Sequence, residues 1–274
     1  MDAGEYSGAK KEIDCQHVVA TWQSLQNNPK LMSFFHMFII DEAHGVKGQV
    51  IYDLITEHGK NIPFRFGVTG TFPKPQADQM TLKSTIGPIH KEIPAKWLIE
   101  NGYLAKVEIE PVVTESKAAE DDFPDYASER SYIAKNEKRL DVIADLIVDK
   151  CDKYGNTLVL VNSVEMGEKL QKMIKDSVFL YGENDKKERK TQYDMYKERN
   201  DVITIATFGI ASTGISIDRI FCLMLLDSGK SFVRAIQSVG RGTRLAADKN
   251  SVHVVDVYAN LKWSKKHFKE RKKF

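Results

Sequence analysis

Phe38-Ile39-Ile40-Asp41-Glu42-Ala43-His44 decides how this chain is read. An apolar run stops at two adjacent carboxylates and a histidine. A strand covered on both faces in a parallel sheet looks like that run. At the carboxyl end of such a strand, side chains emerge into the crevice where α/β sheets bind ligands. Asp41 there can hold a magnesium ion, usually through water, while the ion grips nucleotide phosphates. Glu42 points differently and can orient or deprotonate an attacking water. The plainer alternative is a loop that begins with two acids, and a four-residue match alone leaves it open.

Three further blocks lie downstream. Val68-Thr69-Gly70-Thr71 again ends a strand, here in two hydroxyls around a glycine. Those hydroxyls can sense the neighbouring carboxylates, although Thr-Gly-Thr is also a plain turn. Ala206-Thr207-Phe208-Gly209-Ile210-Ala211-Ser212-Thr213-Gly214-Ile215-Ser216-Ile217 runs from a buried strand into a hydroxyl- and glycine-rich turn. Turns of that kind, with Gly214 and Ser216, present backbone N–H groups to phosphates. In Gln237-Ser238-Val239-Gly240-Arg241-Gly242-Thr243-Arg244, a helix puts Gln237, Arg241 and Arg244 on one face. Two guanidiniums so arranged suit a phosphate-rich target, and one acting as an arginine finger supplies about 10³–10⁵ in rate. A merely solvated basic face would hardly choose glycines beside Arg241.

The rest of the chain fits this frame. Strands are expected at His17–Thr21, Phe38–Ile40, Arg65–Thr69, Lys106–Val113, Thr157–Val161, Val178–Tyr181, Val202–Thr207, Phe221–Leu226 and Val252–Val257. Helical patterns lie between them, so the expected class is α/β with mostly parallel sheets. Ser131–Lys150 reads as one helix with Ile133, Leu140, Ile143, Ile147 and Val148 inward. Ser163 is placed to cap the next helix, with Leu170, Met173 and Ile174 packing inward. The acidic stretch Glu115–Tyr126 reads as a surface loop. Gly87, Pro88 and Pro94 mark a change of lobe, giving a first unit over 1–90 and a second over 91–274.

Composition sets the class. With 42% apolar and 28% charged residues in 274, the chain is an ordinary globular one, not a disordered one. No long apolar run is present, so no membrane span is expected. Three well-separated cysteines argue against a disulfide framework or a zinc site and fit a reducing cytoplasm. A net charge of +2 neither demands nor excludes nucleic acid. Lys262–Phe274 holds seven Lys or Arg against one Glu. That is either a solvated helix end or a tail contacting phosphates.

Taken in order, these blocks resemble the superfamily 2 helicases of the DEAH/DExH-like branch, with the phage UvsW-type helicases as the nearest likeness. Asp41–His44 resembles motif II, Thr69–Thr71 motif III, Ala206–Ile217 motif V and Gln237–Arg244 motif VI. Thr157-Leu158-Val159-Leu160-Val161-Asn162-Ser163 is similar to motif IV. Ala20-Thr21-Trp22-Gln23-Ser24-Leu25 resembles the strand-binding element before motif II. The resemblance covers about His17 to Val257. It implies two RecA-like lobes with ATP and Mg²⁺ at their interface, catalytic roles for Asp41, Glu42, His44, Gln237, Arg241 and Arg244, and coupling by Thr69, Gly70 and Thr71. It also places Thr21, Trp22, Gln23, Asn162, Ser163 and Thr207 along DNA, branched or single-stranded; Trp22 reads equally as a core aromatic. Where many relatives carry Gly-Leu-Asp-Ile, this chain has Gly214-Ile215-Ser216-Ile217, so an acidic nucleotide contact there does not carry over. UvsW-type proteins are similar in lacking that acid.

The family's G-x-x-x-x-G-K-[ST] phosphate loop should lie well before motif II, but forty residues precede Asp41 and none contains it. Ser228-Gly229-Lys230-Ser231 is a decoy, because the pattern's first glycine would fall on Met224 inside a strand. The expectation is therefore an incomplete first lobe with apolar surface left uncovered, negligible ATPase from this chain alone, and a separate chain or longer protein carrying the loop. Against the enzyme stands a non-hydrolysing, nucleic-acid-binding remnant. Retention of Glu42, Gln237, Arg241 and Arg244 speaks for the enzyme. A restriction-motor role would call for a nuclease or methylase signature, and the sequence shows none.

Overall fold

A computed structural model describes residues 2–70, 72–73, 75–119, 122–182, 186–212, 219–229 and 248–272. The chain divides into two units, Met1–Glu92 and Ile93–Phe274.

In the first unit, β1 (Ala3–Ser7) lies between β2 (Lys10–Lys11), antiparallel to it, and β3 (His17–Ala20), parallel to it. A separate parallel pair joins β4 (Met37–Ile40) to β5 (Phe64–Gly67). Helices α1 (Trp22–Leu25), α2 (Gln49–Asp53) and α3 (Gln76–Thr85) complete its regular helices. Because side chains alternate along a strand, β4 turns Phe38 and Ile40 toward a small core of Ala43, Val46, Ile55 and Leu82. Its other face, shared with β5 through the Met37–Phe64 and Ile39–Phe66 pairs, stays open to solvent: Ile39 is 62% exposed and Phe64 59%. The uncovered apolar surface expected of this unit is present on that face.

The second unit is built on six parallel strands in the order β6-β11-β10-β7-β9-β8. They are β6 (Lys106–Thr114), β7 (Thr157–Val161), β8 (Val178–Leu180), β9 (Ile203–Thr207), β10 (Cys222–Leu226) and β11 (Ser251–Ala259). Among the described residues the helices here are α4 (Ala95–Glu100), α5 (Tyr126–Lys135), α6 (Glu137–Tyr154), α7 (Val164–Met173), α8 (Lys186–Glu198), α9 (Phe208–Ser212) and α10 (Lys262–Arg271). Every residue of β7 and β10 is buried, as a central strand between two helical layers requires. One layer packs Leu140, Ile143, Ile147, Met166 and Leu170 against the sheet; the other packs Tyr196, Val202 and Ile210.

All nine expected strands form, with ends shifted by a residue or two. β1 and β2 were missed: Ala3–Ser7 is a run of small and polar residues in which only Gly4 and Tyr6 are buried. The single helix expected over Ser131–Lys150 is two. Asn136 breaks it and caps α6, its side chain accepting from the Arg139 N–H at 3.2 Å. Asp125 starts α5 earlier than expected, accepting from the Ser128 N–H at 2.8 Å. Val148 and Met173, assigned inward, are about two-fifths exposed.

Candidate functional site

Within the first unit, the carboxylates sit where β4 ends. Ile40 is the last strand residue, and Glu42 adopts a left-handed backbone, φ 50° and ψ 48°, uncommon for a residue with a side chain. Main-chain bonds pin this turn to the end of β5: Val68 N–H donates to the Ile40 carbonyl and Ala43 N–H to the Val68 carbonyl, each at 2.9 Å. The turn thus lies beside Thr69. His44 Nδ1 is 2.9 Å from Thr69 Oγ1 and 3.3 Å from Glu42 Oε2. One imidazole nitrogen therefore touches both the carboxylate and the hydroxyl. Asp41 Oδ1 accepts the Glu42 N–H at 2.8 Å, and both acids are exposed. Among the described residues no cluster of three or more His, Cys, Asp or Glu side chains is placed to hold a metal ion.

Gly67 is what lets the two turns approach. A Cβ there would stand 2.8 Å from both Ala43 Cβ and Ile86 Cδ1. Gly67→Ala is expected to cost about 1–3 kcal/mol through overpacking, read as a lower denaturant midpoint. The cost should be accompanied by weaker coupling between the His44 and Thr69 resonances. An unchanged midpoint would show that the contact is loose.

Elsewhere in this unit, Thr21 precedes α1 and donates to Ser24 Oγ at 3.1 Å. Trp22 and Gln23 open that helix and are exposed, so Trp22, at 40%, is not a core aromatic.

Parallel pairing brings the carboxyl ends of β7, β9, β10 and β11 of the second unit to one sheet edge. Asn162 and Ser163 follow β7, and Thr207 closes β9 opposite Val161. Ser163 also caps α7, accepting from the Met166 N–H at 3.3 Å. Four residues that the sequence reading did not single out hold this edge. Arg130 donates to the Asn162 carbonyl, and the Asn162 amide donates to the Asp227 carbonyl. Asp227 is buried with φ 49°, and Arg139 Nη2 stands 3.0 and 2.9 Å from its two carboxylate oxygens. Arg139 Nε donates to Thr114 Oγ1 at 2.7 Å. Burial pushes the Asp227 carboxyl above its ordinary range, and the Arg139 guanidinium pulls against it. The fourth is Arg271, which donates to the Gly229 carbonyl at 2.8 Å. The Asp227 and Arg139 signal was not in any local pattern, because 88 residues separate the partners.

Thr71, Gly214, Ser216, Gln237, Arg241 and Arg244 lie outside the described residues, while Gly70 is described and exposed at the end of the β5 turn.

Residues 2–74 match the family described as the res subunit of type III restriction enzymes, and residues 138–246 match the helicase conserved C-terminal domain. The ATP-dependent DNA helicase uvsW of Enterobacteria phage T4 is 27% identical over 289 aligned residues, covering 100% of this chain and 56% of the relative. The crystal structure of T4 UvsW superposes with a TM-score of 0.52 at 22% identity, covering 99% of this chain and 59% of that one. A Saccharomyces cerevisiae Dbp5 variant bound to RNA and ADP BeF3 gives 0.64 at 17% identity, covering 100% and 68%. The helicase domain of Pyrococcus furiosus Hef gives 0.58 at 14%, covering 93% and 78%. The mixed α/β architecture with its six-stranded parallel sheet is thus that of RecA-like helicase lobes. The chain spans about half the length of the first curated relatives it matches, or less.

Proposed function

Because the chain belongs to the superfamily 2 helicases, we propose that it is the downstream portion of an ATP-dependent DNA helicase or translocase. In this reading it couples ATP hydrolysis to movement on, or remodelling of, branched or single-stranded DNA in repair or recombination. The observation that carries the reading is the junction at His44, where a carboxylate and a hydroxyl from two strand ends meet one imidazole.

Asp41 fits a magnesium ion held through water. One of its oxygens is engaged by the Glu42 N–H, and the carboxylate is otherwise exposed at the strand's end. When bound, the ion neutralises charge on the nucleotide phosphates. Glu42 orients the attacking water and takes its proton. Gln237, Arg241 and Arg244 contact the phosphates, with Gly214 and Ser216 lending polar groups. His44 and Thr69 relay the state of Glu42, and Gly70 and Thr71 take part in the same coupling. Thr21, Trp22, Gln23, Asn162, Ser163 and Thr207 track the sugar–phosphate backbone, which carries little sequence information.

Grip on the β- and γ-phosphates falls to a glycine-rich loop and its lysine, supplied in this proposal by a further segment or a separate chain. The open apolar face of Met37, Ile39, Phe64, Phe66 and Val68 supports such a complement, since surface of that kind marks an interaction site. ATP turnover by the purified chain, with and without single-stranded DNA, tests the proposal. The expected result is negligible turnover alone and DNA-stimulated turnover once a loop-bearing segment is added. Robust turnover by the chain alone would refute the need for that segment. DNA binding without turnover after its addition would favour the non-hydrolysing remnant.

A further inference from the structure

The last helix is built with two unlike faces. Inward, Ser264, His267 and Arg271 are buried. Arg271 grips Asp256 through two bonds of 2.9 and 2.8 Å, His267 meets the Tyr126 ring edge-on at 4.5 Å, and Phe268 stacks on Tyr258 at 4.1 Å. The helix start is held by Glu129 of α5, fully buried, whose carboxylate accepts from the Trp263 N–H at 2.8 Å and from Ser264 N–H and Oγ at 2.7 Å each. A carboxylate at a helix N-terminus also complements the macrodipole. Outward, the exposed side chains are Lys262, Lys266, Lys269 and Lys272, spaced four, three and three apart.

That spacing makes a stripe. Lys262, Lys266 and Lys269 fall within about one sixth of the helix circumference at about 100° per residue. From Lys262 to Lys269 the stripe runs about 10 Å, the length of about three nucleotide steps at about 3.4 Å each. Like charges at these separations repel by about 0.2–0.5 kcal/mol per pair. Glu270 is the one acid in the helix, where a face meant only for solvation would intersperse both signs. A polyanion laid along the stripe turns that repulsion into attraction. A lipid surface fits less well: a helix lying in a bilayer interface offers its apolar face to the acyl chains, and here that face is covered by Tyr126 and Tyr258.

The helix is also wired to the candidate nucleic-acid edge. Glu129 caps it, and the next residue of α5, Arg130, holds the Asn162 carbonyl. Two consecutive residues of one helix thus fix the lysine face and the Asn162–Ser163 turn to each other within the second unit.

We infer that the Lys262–Lys269 face of α10 is a second, sequence-independent contact for the nucleic-acid backbone, continuing the track that begins at Asn162 and Ser163. The inference rests on the helicase reading above. Its test is binding of the full chain to a fluorescently labelled oligothymidylate by anisotropy across a salt series. Each single-strand phosphate contact contributes about 0.7 to the slope of log K against log salt. The combined Lys262→Ala, Lys266→Ala and Lys269→Ala substitutions should therefore flatten that slope by about two and weaken binding at least tenfold at low salt. Replacing the same three with arginine should restore both. Circular dichroism should be unchanged, since the three side chains face solvent. An unchanged slope and affinity in the alanine variant, with the parent chain binding normally, overturns this inference and leaves the helicase reading standing. A parent chain that binds no nucleic acid overturns both. Lysine-dependent binding to phosphatidylserine vesicles, with DNA binding unaffected, assigns the face to a membrane and also overturns it.

Discussion

Replacing Glu42 with glutamine, in a chain supplied with a phosphate-binding loop, should lower DNA-stimulated ATP turnover about 10²–10⁴-fold, the range expected when a positioned general base is lost. That corresponds to roughly 3–5 kcal/mol of barrier. Glutamine keeps the size of the side chain and a hydrogen bond to His44, so the turn should hold its shape. Nucleotide affinity should therefore change little, and the loss should appear in kcat with KM nearly constant. The left-handed backbone at Glu42 is part of the reason to expect this split. Glu42 Oε2 lies against His44, while Asp41 Oδ1 accepts the Glu42 N–H, so the two acids have different partners. A loss confined to KM would mean that Glu42 binds and does not activate water.

The largest effect on stability is expected at Arg139. Its side chain is 2% exposed and reaches the buried Asp227 carboxylate and the Thr114 hydroxyl. Arg139→Met removes the cation and leaves the buried Asp227 carboxylate without its ion-pair partner. Breaking a buried pair from one side costs about 3–5 kcal/mol, far more than losing an exposed one. The unfolding midpoint of the second unit in urea should fall accordingly, and DNA affinity should fall with it, since the Asp227 carbonyl holds the Asn162 amide. Adding Asp227→Asn to Arg139→Met should recover much of the loss, because the uncompensated charge is then gone. A cost under about 1 kcal/mol for the single change would show that water reaches the pair.

Much of this was legible in the sequence. The central strands β7 and β10 are apolar at nearly every position, and only a strand between two helical layers tolerates that. Asp41 and Glu42 stood out because acids ending an apolar run have no packing purpose. Ser163 was readable as a cap because hydroxyls at that position satisfy a free N–H. What escaped depends on partners distant in the chain. Asp227 looks like a polar loop residue until Arg139 is brought under it. Glu129 sits amid other charges of α5 and gives no hint that it caps a helix 135 residues away. The break at Asn136 was hidden for a different reason: hydrophobic periodicity continues in phase across it, and a single asparagine is a weak signal beside that run. Cys222 shows the same limit in miniature, since burial pushes its thiol up to about 12 although nothing local marks it.

In the proposed motor, the acids of the front half and the guanidiniums of the back half serve one hydrolysis reaction. ATP turnover by the loop-bearing chain carrying Arg241→Ala, measured beside its nucleotide affinity, asks this most directly. The predicted result is a loss of about 10³–10⁵ in turnover, with Glu42→Gln adding little on top because the two groups act as a unit. Turnover unchanged by Arg241→Ala, or losses that simply multiply when the two substitutions are combined, would contradict it.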